Sequence, residues 1–154
     1  LAGLGAMDVF VLPPGAATAL IEAREKAFWL AKANDADDIV DVVVPRNALA
    51  DFMAEVTRVG TEHASWIAGV PAGGDGNVPL AVFQKDPDVR AEVMLGLFRS
   101  AIALGGTISG EHGLGRTKKK YLEALEDPAK IELMRRIKAA FDPHGILNPG
   151  STFD

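Results

Sequence analysis

The chain has 154 residues, of which 48% are hydrophobic and 24% are charged, a size and composition typical of one globular domain with a real core. Its formal charge of −5 leaves no basic surplus to neutralise phosphates, which argues against a nucleic-acid partner. It contains no cysteine, which excludes disulfides, thiolate metal sites and cysteine nucleophiles.

No apolar run reaches the length of a membrane span and no signal peptide opens the chain, so we expect a soluble, cytoplasmic protein.

Both ends of the chain suggest a place in a larger protein. The chain opens on Leu1 in the strand-like stretch LAGLGAMDVFVL, and we expect it to be a piece of something longer. The last stretch, DPHGILNPGSTFD, has only Ile146 and Leu147 to bury, so we expect it to lie against another surface.

Hydrophobic periodicity and turn residues predict the order strand, helix, strand, helix, strand, strand, helix, then two helices. The predicted elements cover residues 8–12, 18–32, 39–44, 49–59, 65–70, 78–83, 87–104, 117–125 and 128–141. Thr18 and Gly60 stand where an N-cap and a C-cap belong. Asp86 and Asp127, each followed by proline, predict two further N-caps. The alternation predicts an α+β fold, with helices on one face of a largely antiparallel sheet and a helical C-terminal tail.

Arg24 lies on the apolar side of the first predicted helix, on the same face as Leu20 and Phe28. A guanidinium group in that position needs an anion. One candidate is Asp41 on the following strand, in a structural ion pair. The other is a substrate carboxylate, which the planar guanidinium can bind through two hydrogen bonds. The residues alone leave both open.

The glycine loop, GGTISGEHGLG at residues 105–115, places Glu111 and His112 side by side among glycines. Histidine is the usual general base near neutral pH. The flanking glycines allow a flat cofactor or a small substrate to approach closely, which favours a functional histidine over a purely structural one. A dinucleotide-binding fingerprint is excluded, because a helix and not a strand precedes the loop.

Two other motifs are weaker signals. The GGDGN stretch, residues 73–77, is explained by a tight turn in which the glycines and Asn77 tolerate positive φ. The basic run of Arg116 and Lys118 to Lys120 begins a helix, where cations oppose the helix dipole, so it indicates a solvated face or an anionic neighbour.

Two long motifs carry a family resemblance. GTISGEHGLGRTKKKYL, followed by LMRRIKAAFDPHGILNPG, resembles the C-terminal part of the FAD-linked oxidases of the vanillyl-alcohol-oxidase superfamily, which contains D-lactate dehydrogenases, D-2-hydroxyglutarate dehydrogenases and the glycolate oxidase flavin subunit. AREKAFW, DVVVP and GGDGN resemble the family's arginine helix, next strand and loop, in the same order. The resemblance implies a ferredoxin-like cap domain at residues 1–104, truncated at its N-terminus. Residues 105–154 would then return to an FAD-binding domain that this chain lacks.

The resemblance also implies roles for single residues. Arg24 and Asn77 would bind the substrate, Arg24 through its carboxylate. His112 would take the hydroxyl proton as hydride leaves carbon 2 for the flavin, with Glu111 in the same catalytic centre. Gly113 and Asn148 would lie near the FAD.

The chain departs from its relatives where some of them hold a divalent metal. In those relatives Glu111 would be joined by two histidines, whose positions here are Ala72 and Pro79. A catalytic metal site needs about three protein ligands, so we expect no metal. A lysine that some relatives carry falls at Ile39, which removes a second polar substrate contact.

Three functions are consistent with these features. The chain is part of an active FAD-dependent dehydrogenase or oxidase of a 2-hydroxy acid, as the retention of Arg24 and His112 favours. Alternatively, it belongs to a non-catalytic or electron-passing subunit of an oxidase complex. A free-standing ferredoxin-like module for ligand binding or oligomerisation is the third. The expected partners are the small substrate, the FAD-binding domain of the same full-length chain, and other subunits of an oligomer or oxidase complex.

Overall fold

The structure is a computed structural model that describes residues 3, 10–33, 35–69, 71 and 74–153, with the backbone alone at positions 24, 25 and 27–33. The chain divides into two compact units, Leu1–Asp35 and Ala36–Asp154. In chain order the helices and strands are α1 (Pro14–Ala33), β1 (Asp38–Val43), α2 (Leu49–Glu62), β2 (Trp66–Gly69), β3 (Asn77–Phe83), α3 (Pro87–Ala103), α4 (Lys119–Leu125) and α5 (Pro128–Phe141).

Helix α1 lies in the first unit, and it begins earlier than predicted. The strand expected at 8–12 is wrong over residues 10–12, which are irregular, while residues 8 and 9 lie outside the described part. Pro14 begins the helix, because its fixed φ suits a first helical position. Thr18 is therefore inside α1 and not its N-cap, and its hydroxyl donates back to the Pro14 carbonyl at 3.0 Å.

The second unit contains an antiparallel sheet of order β1-β3-β2, in which Asp41 lies opposite Pro79 and Ile67 opposite Val82. After α3 the chain returns to the free edge of β1, where Thr107 and Val43 exchange two backbone hydrogen bonds of 2.8 and 3.2 Å. The order β1-α2-β2-β3-α3, followed by this bridge, is the ferredoxin-like pattern with its fourth strand reduced to one residue pair. The expected α+β class is confirmed.

One face of the sheet forms the core. Alternate residues of β1 and β3 point to the same side, and buried residues of α2 and α3 pack on them in one cluster. The strand residues are Val40, Val42, Val78, Leu80 and Val82, with Val44 just after β1, and the helix residues include Phe52, Val59, Met94, Leu97 and Phe98. The opposite face of the sheet carries Asp41, Asn77 and Pro79 and is turned away from α2 and α3, and we call it the open face for that reason.

Helix ends follow local chemistry where a side chain can cap them. Asp86 accepts hydrogen bonds from the backbone N–H groups of Asp88 and Val89, and Asp127 accepts one from Ala129, so both predicted caps are confirmed. Gly60 as a C-cap is wrong, because α2 continues to Glu62. A Cβ at Gly60 would lie 3.1 Å from the carbonyl oxygen of Ser65, the residue before β2. Glycine at position 60 therefore allows the backbone to approach closely there.

The C-terminal tail packs on the same core and ends in an ordered turn. Tyr121, Leu122 and Ile131 are buried in the core cluster. After α5, the buried Asp142 accepts hydrogen bonds from the N–H groups of Ile146 and Leu147, both at 2.9 Å. Across the described part of the chain, helices are too short or too polar to cross a membrane.

Candidate active site on the open face of the sheet

The glycine loop follows β1 as a partial fourth strand. Thr107 pairs with Val43. The Gly110 N–H donates to the carbonyl of Asp41, two residues before Val43 in β1, at 2.7 Å. Just beyond the loop, the Lys118 ammonium donates to the Ile39 carbonyl. Backbone bonds at two points along β1, and a side-chain bond from Lys118 at a third, therefore fix the path of the loop.

Asp41 holds the central part of the glycine loop. Its Oδ2 accepts the backbone N–H groups of Glu111 and His112, each at 2.8 Å, and the residue is only 4% exposed. Burial acts to raise the pKa of Asp41, but the hydrogen bonds from His112 and Glu111, the nearby imidazole and the Asn77 amide lower it by more. The net pKa lies below the ordinary value of 3.8, so the carboxylate is charged at neutral pH.

His112 combines a fixed backbone with an accessible side chain. Its Nδ1 lies 3.8 Å from Asp41 Oδ2, too long for a hydrogen bond but close enough for electrostatic attraction, and its side chain is 49% exposed. The neighbouring Glu111 side chain is exposed. An imidazole held in this way can exchange a proton with a small molecule on the open face.

Asn77 lies beside the same loop. A Cβ at Gly110 would be only 2.7 Å from Asn77 Oδ1 and 2.9 Å from a Val43 methyl group, so the contact requires glycine at position 110. Two buried oxygens, Asn77 Oδ1 and Asp41 Oδ1, accept no hydrogen bond from any residue that the structure describes. The structure thus places Asn77 beside the loop that carries Glu111 and His112, and the roles of these three residues stay predictions.

Asp41 is the site residue whose role the sequence interpretation missed. It was considered as a partner for Arg24, whose side chain lies outside the described part, so that pairing stays untested. The backbone of Arg24 belongs to α1, in the first unit. A single carboxylate within the β-branched run IVDVVV is a signal for a buried acceptor, because a buried charge needs hydrogen-bond donors.

The residues expected near a cofactor lie in two exposed turns. Gly113 has φ +71° and open space around the position of a Cβ, and Asn148 has φ +49°. The Arg116 guanidinium donates to the Pro149 carbonyl at 2.7 Å, which ties the turn of Asn148 to the end of the glycine loop. The two turns are therefore linked through Arg116.

The positions of the missing metal ligands differ in how much the structure describes. Pro79 lies in β3 opposite Asp41 and offers no donor atom, while Ala72 falls outside the described residues. Among the residues with described positions, His, Asp and Glu do not form a group of three that could hold a metal ion.

Comparison with known proteins gives consistent matches. Residues 1–152 match the model of the family described as FAD linked oxidases, C-terminal domain. An uncharacterized FAD-linked oxidoreductase of Mycobacterium tuberculosis (strain H37Rv) is 53% identical over 97% of this chain and 33% of its own length. The glycolate oxidase subunit GlcD of Bacillus subtilis is 38% identical over 89% of this chain and 30% of its own length. A D-lactate dehydrogenase of Anaerostipes hadrus is 33% identical over 95% of this chain and 32% of its own length. The chain spans about a third of the length of these curated relatives.

Proposed function

Because this chain belongs to the family of FAD-linked oxidases and carries their C-terminal domain, we propose that it is the substrate-binding part of a longer flavoprotein that oxidises a 2-hydroxy acid. The names of two relatives, a glycolate oxidase subunit and a D-lactate dehydrogenase, support a substrate of that class. The supporting observation within this chain is the half-exposed imidazole of His112, held beside the ionised Asp41 on the open face of the sheet.

His112 acts as the general base in this proposal. Oxidation of the hydroxyl-bearing carbon breaks one O–H and one C–H bond, and His112 takes the proton from oxygen. FAD, when bound, supplies the acceptor for the hydride, that is, for the proton and two electrons of the C–H bond. A positioned base contributes about 10²- to 10⁴-fold to such a rate. Glu111 stays a predicted member of the same centre.

Arg24 and Asn77 bind the substrate in this proposal. A guanidinium group suits a carboxylate because it donates two parallel hydrogen bonds. The Asn77 side chain lies against Gly110, within the loop that carries His112, which supports a place for Asn77 near the same substrate.

The FAD contacts of this chain fall at its two linked turns. At Gly113 no side chain blocks approach to the backbone, and Asn148 offers an exposed amide, so both residues fit the edge of a flavin. Phe141, Ile146 and Leu147 beside Asn148 are 82%, 73% and 54% exposed. These apolar side chains support the docking of residues 105–154 on an FAD-binding domain of the full-length chain.

A metal-free reaction is part of the proposal. Glu111 is the one family ligand retained, since alanine and proline cannot coordinate a metal at positions 72 and 79. In metal-dependent relatives a Lewis acid stabilises the negative charge that develops on the substrate oxygen. In this chain His112, supported by Asp41, would limit that charge by taking the hydroxyl proton. A cytoplasmic location and an oligomeric assembly also stay predictions.

Anaerobic bleaching of the flavin tests the proposed function. The full-length protein, once its flavin absorbance is established, is mixed with D-lactate, glycolate or D-2-hydroxyglutarate, with and without added divalent metal. We expect at least one acid to bleach the flavin, and added metal to leave the rate unchanged. If no acid bleaches it, and an unrelated alcohol or a partner subunit is required instead, the hydroxy-acid assignment fails.

A further inference from the structure

We propose that Asp41 is a positioning residue, which fixes the backbone that carries the His112 imidazole and stabilises the imidazolium that forms when His112 takes a proton. This inference rests on the proposed role of His112 as the base. Asp41 itself is buried under the loop and acts through His112.

The first part of the argument is mechanical. Glycines at positions 110 and 113 leave the backbone around His112 permissive, and Gly113 adopts φ +71°. One atom, Asp41 Oδ2, removes that freedom by accepting two consecutive N–H groups at 2.8 Å. Its own backbone is held in β1, which pairs with β3 on one side and with Gly110 on the other. The loop position of His112 is therefore set by the sheet.

The second part is electrostatic. The same oxygen lies 3.8 Å from His112 Nδ1, so a positive imidazole would face a carboxylate that is 4% exposed and poorly screened by water. A buried carboxylate that orients a histidine and stabilises its cation is a recurring arrangement in enzymes.

The test compares two aspartates, Asp41 within β1 and Asp37 just before β1. Asp41→Asn keeps the size of the side chain and removes its charge. The matched control is Asp37→Asn, because Asp37 also accepts a backbone N–H, that of Gln84 at 2.9 Å, but lies away from the glycine loop. In the flavin-loaded full-length protein, we expect Asp41→Asn to lower kcat about 10- to 100-fold, with little change in KM. Asp37→Asn should leave kcat unchanged.

Hydrogen exchange supplies a readout that does not depend on activity. Peptides covering residues 107–115 should exchange faster in Asp41→Asn and at the wild-type rate in Asp37→Asn, because the Glu111 and His112 amides lose their charged acceptor. Should Asp41→Asn not fold, the wild-type protein still decides. Its Glu111 and His112 amides must be among the most protected of this loop, and rapid exchange of both would overturn the inference.

A double substitution separates this inference from the proposed function. If Asp41 acts through His112, adding Asp41→Asn to His112→Gln costs no further kcat. Full independent losses from both substitutions, or a wild-type kcat for Asp41→Asn alone, would overturn the role of Asp41 and leave His112 as the base. A wild-type kcat for His112→Gln would instead overturn the proposed function itself.

Discussion

A carboxylate inside a strand is costly unless donors surround it, and Asp41 meets that condition with backbone donors from a distant loop. The Glu111 and His112 N–H groups replace the water that the charge loses on burial. Because these bonds favour the charged form, the pKa of Asp41 is lowered even though burial opposes ionisation. The same two bonds serve stability and the placement of His112.

Stability should therefore depend on Asp41 at low pH. A group whose pKa is lowered on folding contributes stability above its unfolded pKa and loses it as pH falls through the folded pKa. For Asp41 the loss begins near its ordinary value of 3.8 and continues below it. We expect the difference in unfolding free energy between wild type and Asp41→Asn, measured by urea titration, to be constant at neutral pH and to shrink at more acid pH. A difference that grows on acidification would contradict this.

The sequence predicts one residue of the candidate site, His112, but not its partner, Asp41. Glycines around His112 signal a special loop locally, within a few positions. Asp41 lies 71 residues away from His112, and a single sequence read by itself offers no way to align a loop with a strand edge. What the residues did show was a charge in an apolar run, which predicts a partner without identifying it.

At the scale of elements, local chemistry set the boundaries that were predicted well. Asp86 and Asp127 each accept N–H groups of their own helix, so the capping signal lies within three residues. Gly60 was misassigned because its reason is a tertiary approach to the Ser65 carbonyl, which local pattern does not reveal. Thr18 was misassigned because Pro14 begins α1 a turn earlier.

The glycine loop as an element depends on Gly110. Gly110→Ala would force a Cβ against the Asn77 and Val43 side chains, so either these side chains or the loop must shift. We expect a loss of about 1–3 kcal/mol in unfolding free energy, together with faster hydrogen exchange at residues 107–115. Gly15→Ala is the control, since a Cβ there meets no atom within 4 Å. Equal stability of the Gly110→Ala and wild-type proteins would show that the loop is not tightly packed.

At the scale of the whole molecule, the residues with proposed roles fall in both compact units of the chain. Arg24 belongs to the first unit, whereas His112, Asp41 and Asn77 belong to the second. The relatives are about three times as long as this chain, so the remaining FAD and substrate contacts are proposed to come from outside it. The exposed side chains of Phe141, Ile146 and Leu147 are consistent with a further protein surface there.

The rate of anaerobic flavin reduction in the full-length protein tests the central claim, that His112 is the base for a 2-hydroxy acid. Stopped-flow absorbance compares wild type with His112→Gln, using whichever of D-lactate, glycolate and D-2-hydroxyglutarate reduces the wild-type flavin fastest. We predict a rate constant about 10²- to 10⁴-fold lower in His112→Gln at unchanged flavin content. An equal rate constant in the two proteins would contradict the account.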